Sequence, residues 1–409
     1  MTNDTQVPRV LLLLPTATYR AADFIAAARA LGAEVVVASE EQPVLSETMG
    51  DRAVVVPLDD PERGASAIDA LDARRGIDAV IAVDDQGVLV AAHAGERLGF
   101  PHNPPDAVAR TRDKAAMRTA FMAAEVPQPR FEIFDDPNNV PDVGFPCVIK
   151  PVGLSASRGV IRADDAPAAR VAAQRALDIA GGGVLLAEEY VPGAELALEG
   201  LLRDGQLEVL ALFDKPDPLE GPYFEETIYV TPARVTADVQ NRVERVVADA
   251  AAALGLREGP VHAEVRVHDD RVWVIEVAAR SIGGLCARAL RFGAGISLEE
   301  VILRHALGQD LAFGQAGGLA RETMASGVMM LPIRTAGRLI GVHGQDVAKA
   351  VPGVVGLEIT IVPGREVRPL PEGDRYLGFL FARAESPDAV EAALRAAHAK
   401  LVVNIDAHG

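Results

Sequence analysis

Between residues 9 and 100, short apolar runs alternate with segments of helical periodicity, and this alternation constrains the fold more than any other feature. The runs, such as VLLLLP, EVVVA and DAVIAV, are continuously hydrophobic. Continuous runs of this kind are typical of strands in a parallel sheet that helices cover on both faces. The turn after the first run, residues 15–20, lacks the GxGxxG pattern of dinucleotide-binding folds. We therefore predict a Rossmann-like domain over residues 1–110 that either helps to bind a substrate or serves only as a scaffold.

The length and charge of the chain limit its class. A chain of 409 residues exceeds one ordinary core, so two or three domains are expected. The net charge of −18 disfavours a nucleic-acid partner, because phosphate backbones need basic surfaces. The chain has 2 cysteines, and no apolar run is long enough for a membrane span or a signal segment. These features predict a cytoplasmic enzyme without membrane or nucleic-acid partners.

Two apolar runs near residue 270 each carry one glutamate. HAEVRV contains Glu264 and RVWVIEVA contains Glu276, and Asp269-Asp270 between them predicts a β-hairpin turn. Such a hairpin can place the two carboxylates side by side, where burial would require a counter-charge. A divalent cation with oxygen ligands meets that requirement, and Arg280 follows closely. The pattern indicates either a magnesium site that handles phosphate or an amphipathic hairpin with two solvent-facing glutamates.

Lysine is rare in this chain, which makes its positions informative. Most basic positions hold arginine, but Lys114 begins a predicted helix and Lys150 ends a predicted buried strand. A lysine at the end of a buried strand is well placed to reach a phosphate. The loop that follows contains Ser155, Ser157 and Gly159, and its backbone N–H groups can cradle phosphate oxygens. An ordinary hairpin turn stays open as the alternative, because the loop matches neither a Walker loop nor GxGxxG.

Polar residues also gather in two places along the middle of the chain. EEYV at residues 188–191 ends an apolar strand, and Glu195 lies where it can accept both hydroxyls of a ribose. The predicted hairpin ALEGLLRDGQLEVLALFDKP ends near Lys215, and FEETIYVTP follows with Glu226 and Tyr229. That second segment is either a solvated loop or an element that recognises substrate.

The pattern changes after the glutamate-bearing hairpin. Helices are predicted near residues 285–292 and 298–307. From about residue 321, the sequence predicts short strands with one helix. This last part is therefore expected to be an α+β unit without a catalytic constellation.

In this order and spacing, the motifs RDKAAMRTAF, FDKP, FEETIYVTP, HAEVRV and IEVAAR resemble the ATP-grasp superfamily of carboxylate–amine ligases. Within it, they are similar to the bacterial L-amino acid ligases, which make dipeptides. The resemblance covers nearly the whole chain. It implies an ATP-grasp fold of mixed α/β and α+β class. The implied domains are the Rossmann-like domain at 1–110, the ATP-grasp domain at 111–312 with a small lid at about 125–190, and an α+β domain at 313–409.

For ATP, the resemblance implies that the two lysines hold the α- and β-phosphates and that the serine- and glycine-containing loop folds over them. The predicted ATP contacts are Lys114, Lys150, Ser155, Ser157, Gly159, Glu188, Glu189, Tyr190, Val191, Glu195 and Lys215. Glu264 and Glu276 are the predicted metal ligands. The implied cofactors are ATP and two Mg²⁺ ions, with Mn²⁺ as a substitute.

For the reaction, the resemblance implies that a small carboxylate such as an amino acid is joined to an amine through an acyl phosphate. Arg280 is predicted to neutralise the acyl phosphate and Glu226 to contact a substrate amine, and both are predicted catalytic residues. The predicted substrate contacts are Glu226, Tyr229, Arg280, Gly283 and Gly284. A homodimer is compatible with the family, and the sequence leaves the oligomeric state open.

A few positions depart from the family pattern. Ala278 stands where many ATP-grasp enzymes have an asparagine ligand, so the second ion is expected to depend more on water and phosphate. Tyr229 stands where the dipeptide-forming branch can have histidine, and Gly283 and Gly284 leave room for a bulky nucleophile. Two alternatives stay open, namely an ATP-grasp carboxylase that uses bicarbonate and a non-catalytic nucleotide-binding protein.

Overall fold

The computed structural model describes residues 7–42, 49–309, 311–312 and 319–407. Its first part is a four-stranded parallel sheet with the strand order β3-β2-β1-β4, as the continuous apolar runs predict. Strand β1 is buried along its whole length, because its side chains pack into clusters on both faces of the sheet. The elements are β1 (Arg9–Leu13), α1 (Ala21–Ala30), β2 (Glu34–Ser39), β3 (Ala53–Val55), α2 (Pro61–Asp72), β4 (Ala79–Ala82), α3 (Val88–Leu98) and α4 (Pro105–Arg112).

A separate antiparallel sheet of four strands follows, with the order β5-β8-β6-β7. Helix α6 buries a stripe of alanines in the core of this unit, and small side chains allow close packing of a helix on a sheet. Asp165 caps the start of α6, and Gly181 ends it with a left-handed φ of 74°. The elements, with the helix that precedes the sheet, are α5 (Lys114–Ala123), β5 (Phe131–Phe134), β6 (Cys147–Pro151), β7 (Ile161–Ala163), α6 (Ala166–Ala180) and β8 (Leu185–Glu189).

An eight-stranded sheet with the order β13-β12-β9-β10-β11-β14-β18-β16 forms the body of the molecule. The predicted hairpin ALEGLLRDGQLEVLALFDKP forms β9 and β10, and its turn residues, Asp204 and Gly205, both have positive φ. Helix α7 packs its apolar face on this sheet between the two hairpins. The elements up to β13 are β9 (Ala194–Arg203), β10 (Gln206–Lys215), β11 (Ile228–Thr231), α7 (Ala237–Leu254), β12 (Gly259–His268) and β13 (Arg271–Ala278).

Three strands of this sheet, β14, β16 and β18, come from the C-terminal part of the chain. A small sheet with the order β17-β15-β19 completes that part. The division at residues 110 and 312 stays a prediction, and residue 313, the predicted start of the last domain, lies outside the described residues. The remaining elements are α8 (Leu298–Ala306), β14 (Ala325–Leu331), β15 (Gly337–His343), α9 (Gln345–Lys349), β16 (Val354–Ile359), β17 (Glu366–Val367), β18 (Gly378–Ala384), α10 (Pro387–His398) and β19 (Val402–Asp406).

The sequence-based prediction of helices after the hairpin is partly wrong. Helix α8 is present, but the segment predicted as a helix at 285–292 forms only a short 3₁₀ helix, Cys286–Ala289. Phe292 then pairs with Ile296 in an isolated β-bridge around Gly293, so the backbone turns instead of continuing a helix. The C-terminal part contains α9 and α10 where one helix was expected. Across the described ranges, no helix combines the length and hydrophobicity needed to cross a membrane.

Candidate active site

The hairpin of β12 and β13 brings the two predicted metal ligands together. Glu264 and Glu276 lie directly opposite each other in the register of the two strands. Both turn residues, Asp269 and Asp270, have positive φ, which a two-residue hairpin turn of type I′ requires. Both glutamates are half-buried and line cavities, which argues against a simple amphipathic hairpin with two glutamates in bulk solvent.

Two cavities meet at this hairpin. The lid-side cavity lies between the β5–β8 sheet and the main sheet, and its empty space, including the part open to solvent, is about 660 Å³. Its lining includes Lys150 and Tyr190. The inner cavity has about 1100 Å³ of empty space, also including open solvent, and its lining includes Arg280, Tyr229 and residues of the N-terminal and C-terminal parts. Four residues line both cavities, namely Ser157, Glu226, Glu264 and Glu276. Because the cavities share this wall, a group bound in one lies close to a group bound in the other.

Most of the predicted site residues line one or both cavities. Those in the lid-side cavity are Lys114, Lys150, Ser157, Glu188, Glu189, Tyr190, Val191, Glu195, Glu226, Glu264 and Glu276. Those in the inner cavity are Ser155, Ser157, Glu226, Tyr229, Glu264, Glu276, Arg280, Gly283 and Gly284. Gly159 and Lys215 line neither cavity. Gly159 instead packs against Pro151 and donates its N–H to the Pro371 carbonyl at 3.0 Å.

The two predicted phosphate-binding lysines are held by different partners. Asp113 caps α5 by accepting two backbone N–H bonds, which fixes Lys114 at the first turn of the helix. The Lys114 ammonium donates to the Leu154 carbonyl at 2.6 Å and lies 3.5 Å from Glu276. Lys114 therefore connects the loop after β6 to the second strand of the hairpin.

Lys150 belongs to a buried ion triad. Its ammonium lies 2.6 Å from Glu188, and Arg118 donates to the other oxygen of the same carboxylate at 2.7 Å. Burial alone would raise the pKa of Glu188, but Arg118 and then Lys150 lower it to about 2. The triad fixes the lysine beside the lid-side cavity, and Arg118 had not been recognised from the sequence.

Arg266 binds the segment that is predicted to contact adenine and ribose. This role was not predicted from the sequence. Its guanidinium donates to Glu195 at 2.9 Å and to the Val191 carbonyl at 2.9 Å. The guanidinium carbons of Arg266 and Arg162 lie 5.2 Å and 4.4 Å from the centre of the Tyr190 ring. Glu189 also lines the lid-side cavity, but its carboxylate pairs with Arg130 at 2.6 Å instead of with Arg266. Arg266 thus joins β12 to the chain segment that crosses between the two sheets.

Lys215 sits among three carboxylates. Its ammonium lies 2.8 Å from Glu195, 2.6 Å from Glu226 and 3.1 Å from Glu264. Oxygens of these three carboxylates lie within 4.8 Å of one another, a spacing that could hold a metal ion. The buried ammonium already supplies positive charge to Glu195 and Glu226, whereas Glu264 also faces Glu276 across the hairpin, so the Glu264 and Glu276 pair is the better candidate for a metal. Burial raises the pKa of Glu226 to about 7, with Lys215 opposing and Glu264 adding to the rise.

His262 provides a second positive charge beside Glu264. Its Nδ1 is hydrogen-bonded to Glu199, and its Nε2 lies 3.5 Å from Glu264. Burial would lower the pKa of His262, but the two glutamates raise it to about 9, so the imidazole is protonated at neutral pH. The sequence could have predicted this contact, because His262 and Glu264 are two residues apart in one strand and such residues share a face.

Arg280 is anchored by the N-terminal part of the chain. Its guanidinium makes two bonds to Asp85, at 2.7 Å and 3.0 Å. Arg112 lies 3.2 Å from the same carboxylate. Burial would raise the pKa of Asp85, but Arg280 and then Arg112 lower it to about 2. Asp85 was missed in the sequence, although it follows β4, at the end of a parallel sheet where ligands commonly bind.

Comparison with known proteins gives matches along most of the chain. Three family models match, described as ATP-grasp N-terminal domain over residues 25–102, ATP-grasp domain over 143–289 and L-amino acid ligase C-terminal domain 2 over 329–406. The chain is 32% identical over 231 residues to the D-alanine–D-alanine ligase of Acidiphilium cryptum (strain JF-5), covering 52% of this chain and 68% of that protein.

Other similarities are more distant. The alanine–anticapsin ligase of Bacillus subtilis (strain 168) is 26% identical over 255 residues, or 56% of this chain and 53% of that ligase. The chain thus spans about half the length of that relative. The crystal structure of an L-amino acid ligase from Bacillus licheniformis superposes with a TM-score of 0.81 at 24% identity, covering 98% of this chain and 99% of that one. At that identity, the superposition establishes the fold.

Proposed function

This chain belongs to the ATP-grasp family, and from that premise we propose that it is an ATP-dependent, ADP-forming ligase that joins an amino acid to an amine through an acyl phosphate. The observation that carries the proposal is the wall shared by the two cavities. Lys114 and Lys150 lie on the lid side, and Arg280 lies on the inner side. A nucleotide in the first cavity and a carboxylate in the second would meet at this wall.

The metal assignment follows from the donor set. Mg²⁺ prefers oxygen ligands, and Glu264 and Glu276 offer facing carboxylates, whereas Ala278 offers no side-chain ligand. Glu264 and Glu276 would hold one ion, a second ion would depend more on water and phosphate oxygens, and Mn²⁺ could replace Mg²⁺. When bound, the metal supplies positive charge beside the nucleotide phosphates.

Side chains on the two sides of the shared wall have different proposed roles. Lys114 and Lys150 neutralise phosphate charge from the lid side, and the loop with Ser155, Ser157 and Gly159 covers the phosphates and excludes water. On the inner side, Arg280 orients the substrate carboxylate and offsets the charge of the acyl phosphate. Glu226 receives the ammonium of the amino acid. The segment 188–191 and Glu195 hold adenine and ribose, while Lys215 holds the carboxylates of the shared wall in place.

A screen of ADP release over pairs of amino acids and amines tests this function. Sustained release is expected only when both an activatable carboxylate and an amine are present, and the product mass should equal that of the amide. ATP cleavage that depends on bicarbonate without an amine would instead identify a carboxylase. ATP binding without turnover across the whole panel would also overturn the proposal.

Two neighbouring glycines of the inner cavity make a matched pair for a second prediction. A Cβ atom at Gly283 would meet nothing within 4 Å, whereas one at Gly284, where φ is +58°, would lie 2.8 Å from the Phe379 ring. Gly283→Leu is expected to lower kcat/KM for bulky substrates by about 10-fold or more and to change the free energy of unfolding by only about 0.5 kcal/mol.

Gly284→Ala is expected to lower the free energy of unfolding by about 1–3 kcal/mol, because of the overlap with Phe379 and the left-handed backbone. Steady-state kinetics with a small and a bulky substrate, together with denaturant unfolding, measure both effects. Equal destabilisation by the two substitutions would contradict the conclusion that a side chain fits at Gly283 and not at Gly284.

A further inference from the structure

The inner cavity is strongly acidic, and almost all of that charge is neutralised within the protein. Its acidic lining residues are Asp84, Asp85, Glu226, Glu264, Glu276 and Asp374. Lys215 pairs with two of the glutamates, Lys114 with Glu276, Arg280 with Asp85 and Arg375 with Asp374. Among the residues that the structure describes, Asp84 is the member of this set without an ion-pair partner.

Asp84 is also held in a fixed position. It follows β4 at the carboxyl end of the parallel sheet, with extended backbone angles of φ −137° and ψ 172°. Its carbonyl accepts the Gly87 N–H at 3.1 Å, which closes the turn into α3. The side chain is half-buried and lines the inner cavity. Asp84 therefore lines the cavity from a hydrogen-bonded turn.

The groups around Asp84 explain its electrostatics. Burial raises the pKa of Asp84 above its usual value, and the Thr18 hydroxyl, Arg20 and Arg280 partly oppose this rise. Arg20 is engaged elsewhere, since it pairs with Glu299 at 2.9 Å, and Arg280 is bound by Asp85. A half-buried carboxylate without its own cation favours a cationic ligand.

Building on the ligase function proposed above, we infer that Asp84 receives the ammonium group of the acceptor amine and takes its proton before the attack on the acyl phosphate. Glu226 and Arg280 are already assigned to the activated amino acid. Asp84 lines the same cavity as Arg280 and is influenced by its charge, so an amine held by Asp84 would share this cavity with the acyl group. No other acidic lining residue in the described ranges is free for that role.

The proton and bond changes balance. One proton passes from the ammonium to the Asp84 carboxylate, which leaves a neutral amine with a free electron pair. The nitrogen forms a bond to the acyl carbon, and the bond from that carbon to the phosphate oxygen breaks, so phosphate leaves with the electron pair. The second proton lost from nitrogen goes to the departing phosphate. General-base assistance of this kind typically contributes about 10²–10⁴-fold to a rate.

Hydroxylamine separates this role from the ligase function itself. It is a weak base and is uncharged at neutral pH, so it can trap an acyl phosphate as a hydroxamate without a group that binds and deprotonates an ammonium. In Asp84→Asn, amide formation with an ordinary amine should fall about 100-fold or more, whereas hydroxamate formation should stay within about 3-fold of wild type. Asp69→Asn, at an exposed carboxylate of α2, is the matched control and should leave both rates unchanged.

Each outcome decides between the hypotheses. Loss of amide with retained hydroxamate supports Asp84 as the acceptor site. A parallel fall of both products with unchanged unfolding, or no fall in either, overturns this inference and leaves the ligase function intact. A wild-type enzyme that forms neither an amide nor a hydroxamate overturns the proposed function and this inference together.

Discussion

Glu276→Gln is expected to reduce ATP cleavage by about 10²–10³-fold while the protein stays folded. The substitution removes one negative charge and one strong oxygen donor from the wall shared by the two cavities. Its effect on stability should be small, because the Glu276 side chain is 32% exposed and lies 3.5 Å from Lys114. Weak, partly exposed ion pairs of this kind contribute at most about 1 kcal/mol. ADP release with both substrates present, and thermal unfolding in parallel, measure the two effects.

A control and a second measurement sharpen this test. Glu132→Gln, at an exposed glutamate of β5 that lines neither cavity, should keep wild-type turnover. Titration with Mg²⁺ should show a higher metal requirement in Glu276→Gln than in wild type, because an amide is a weaker ligand for Mg²⁺ than a carboxylate. Unchanged ATP cleavage in Glu276→Gln would refute the assignment of this glutamate.

The parts of the site that the sequence predicted are those set by local patterns. The hairpin around Asp269 and Asp270 could be predicted because alternating burial and a two-residue turn fix the strand register. Continued from the turn, that register would pair Glu264 with Ile275, and a β-bulge between Glu264 and Val265 shifts the pairing so that Glu264 lies opposite Glu276. The start of the helix at Lys114 could be predicted for the same reason, because its cap, Asp113, is the neighbouring residue in the chain.

The parts that the sequence did not predict depend on contacts between distant segments. Asp85 and Arg280 are 195 residues apart in the chain, and Arg118 and Glu188 are 70 apart. No periodicity links such positions, since their pairing depends on how the sheets pack. The prediction of a helix at 285–292 was wrong for a related reason, because tertiary packing determines the structure of this segment. Two apolar residues of that segment, Leu285 and Cys286, are buried in a core shared with the main sheet.

Glu188→Ala is expected to lower the free energy of unfolding by about 3–5 kcal/mol, which is more than the loss expected for Gly284→Ala. The Arg118 and Lys150 side chains are 2% and 9% exposed, so removal of the carboxylate leaves two buried cations without their counter-charge. Denaturant unfolding at neutral pH measures the loss. Glu189→Ala is the matched control, since the neighbouring glutamate pairs with Arg130, which is 73% exposed. That substitution should cost at most about 1 kcal/mol, and equal losses in the two variants would contradict the role of the triad.

The pH dependence of this difference gives an independent check. The pKa of Glu188 is about 2 in the folded protein, below its usual 4.5. A carboxylate with a depressed pKa stabilises the fold fully above its unfolded pKa, and that stabilisation is lost as the pH falls toward the folded pKa. The gap in stability between wild type and Glu188→Ala should therefore be constant at neutral pH and shrink as the pH falls from about 4.5 toward 2. A gap that widened with acid would mean that the protonated side chain, and not the ion triad, stabilises this part of the fold.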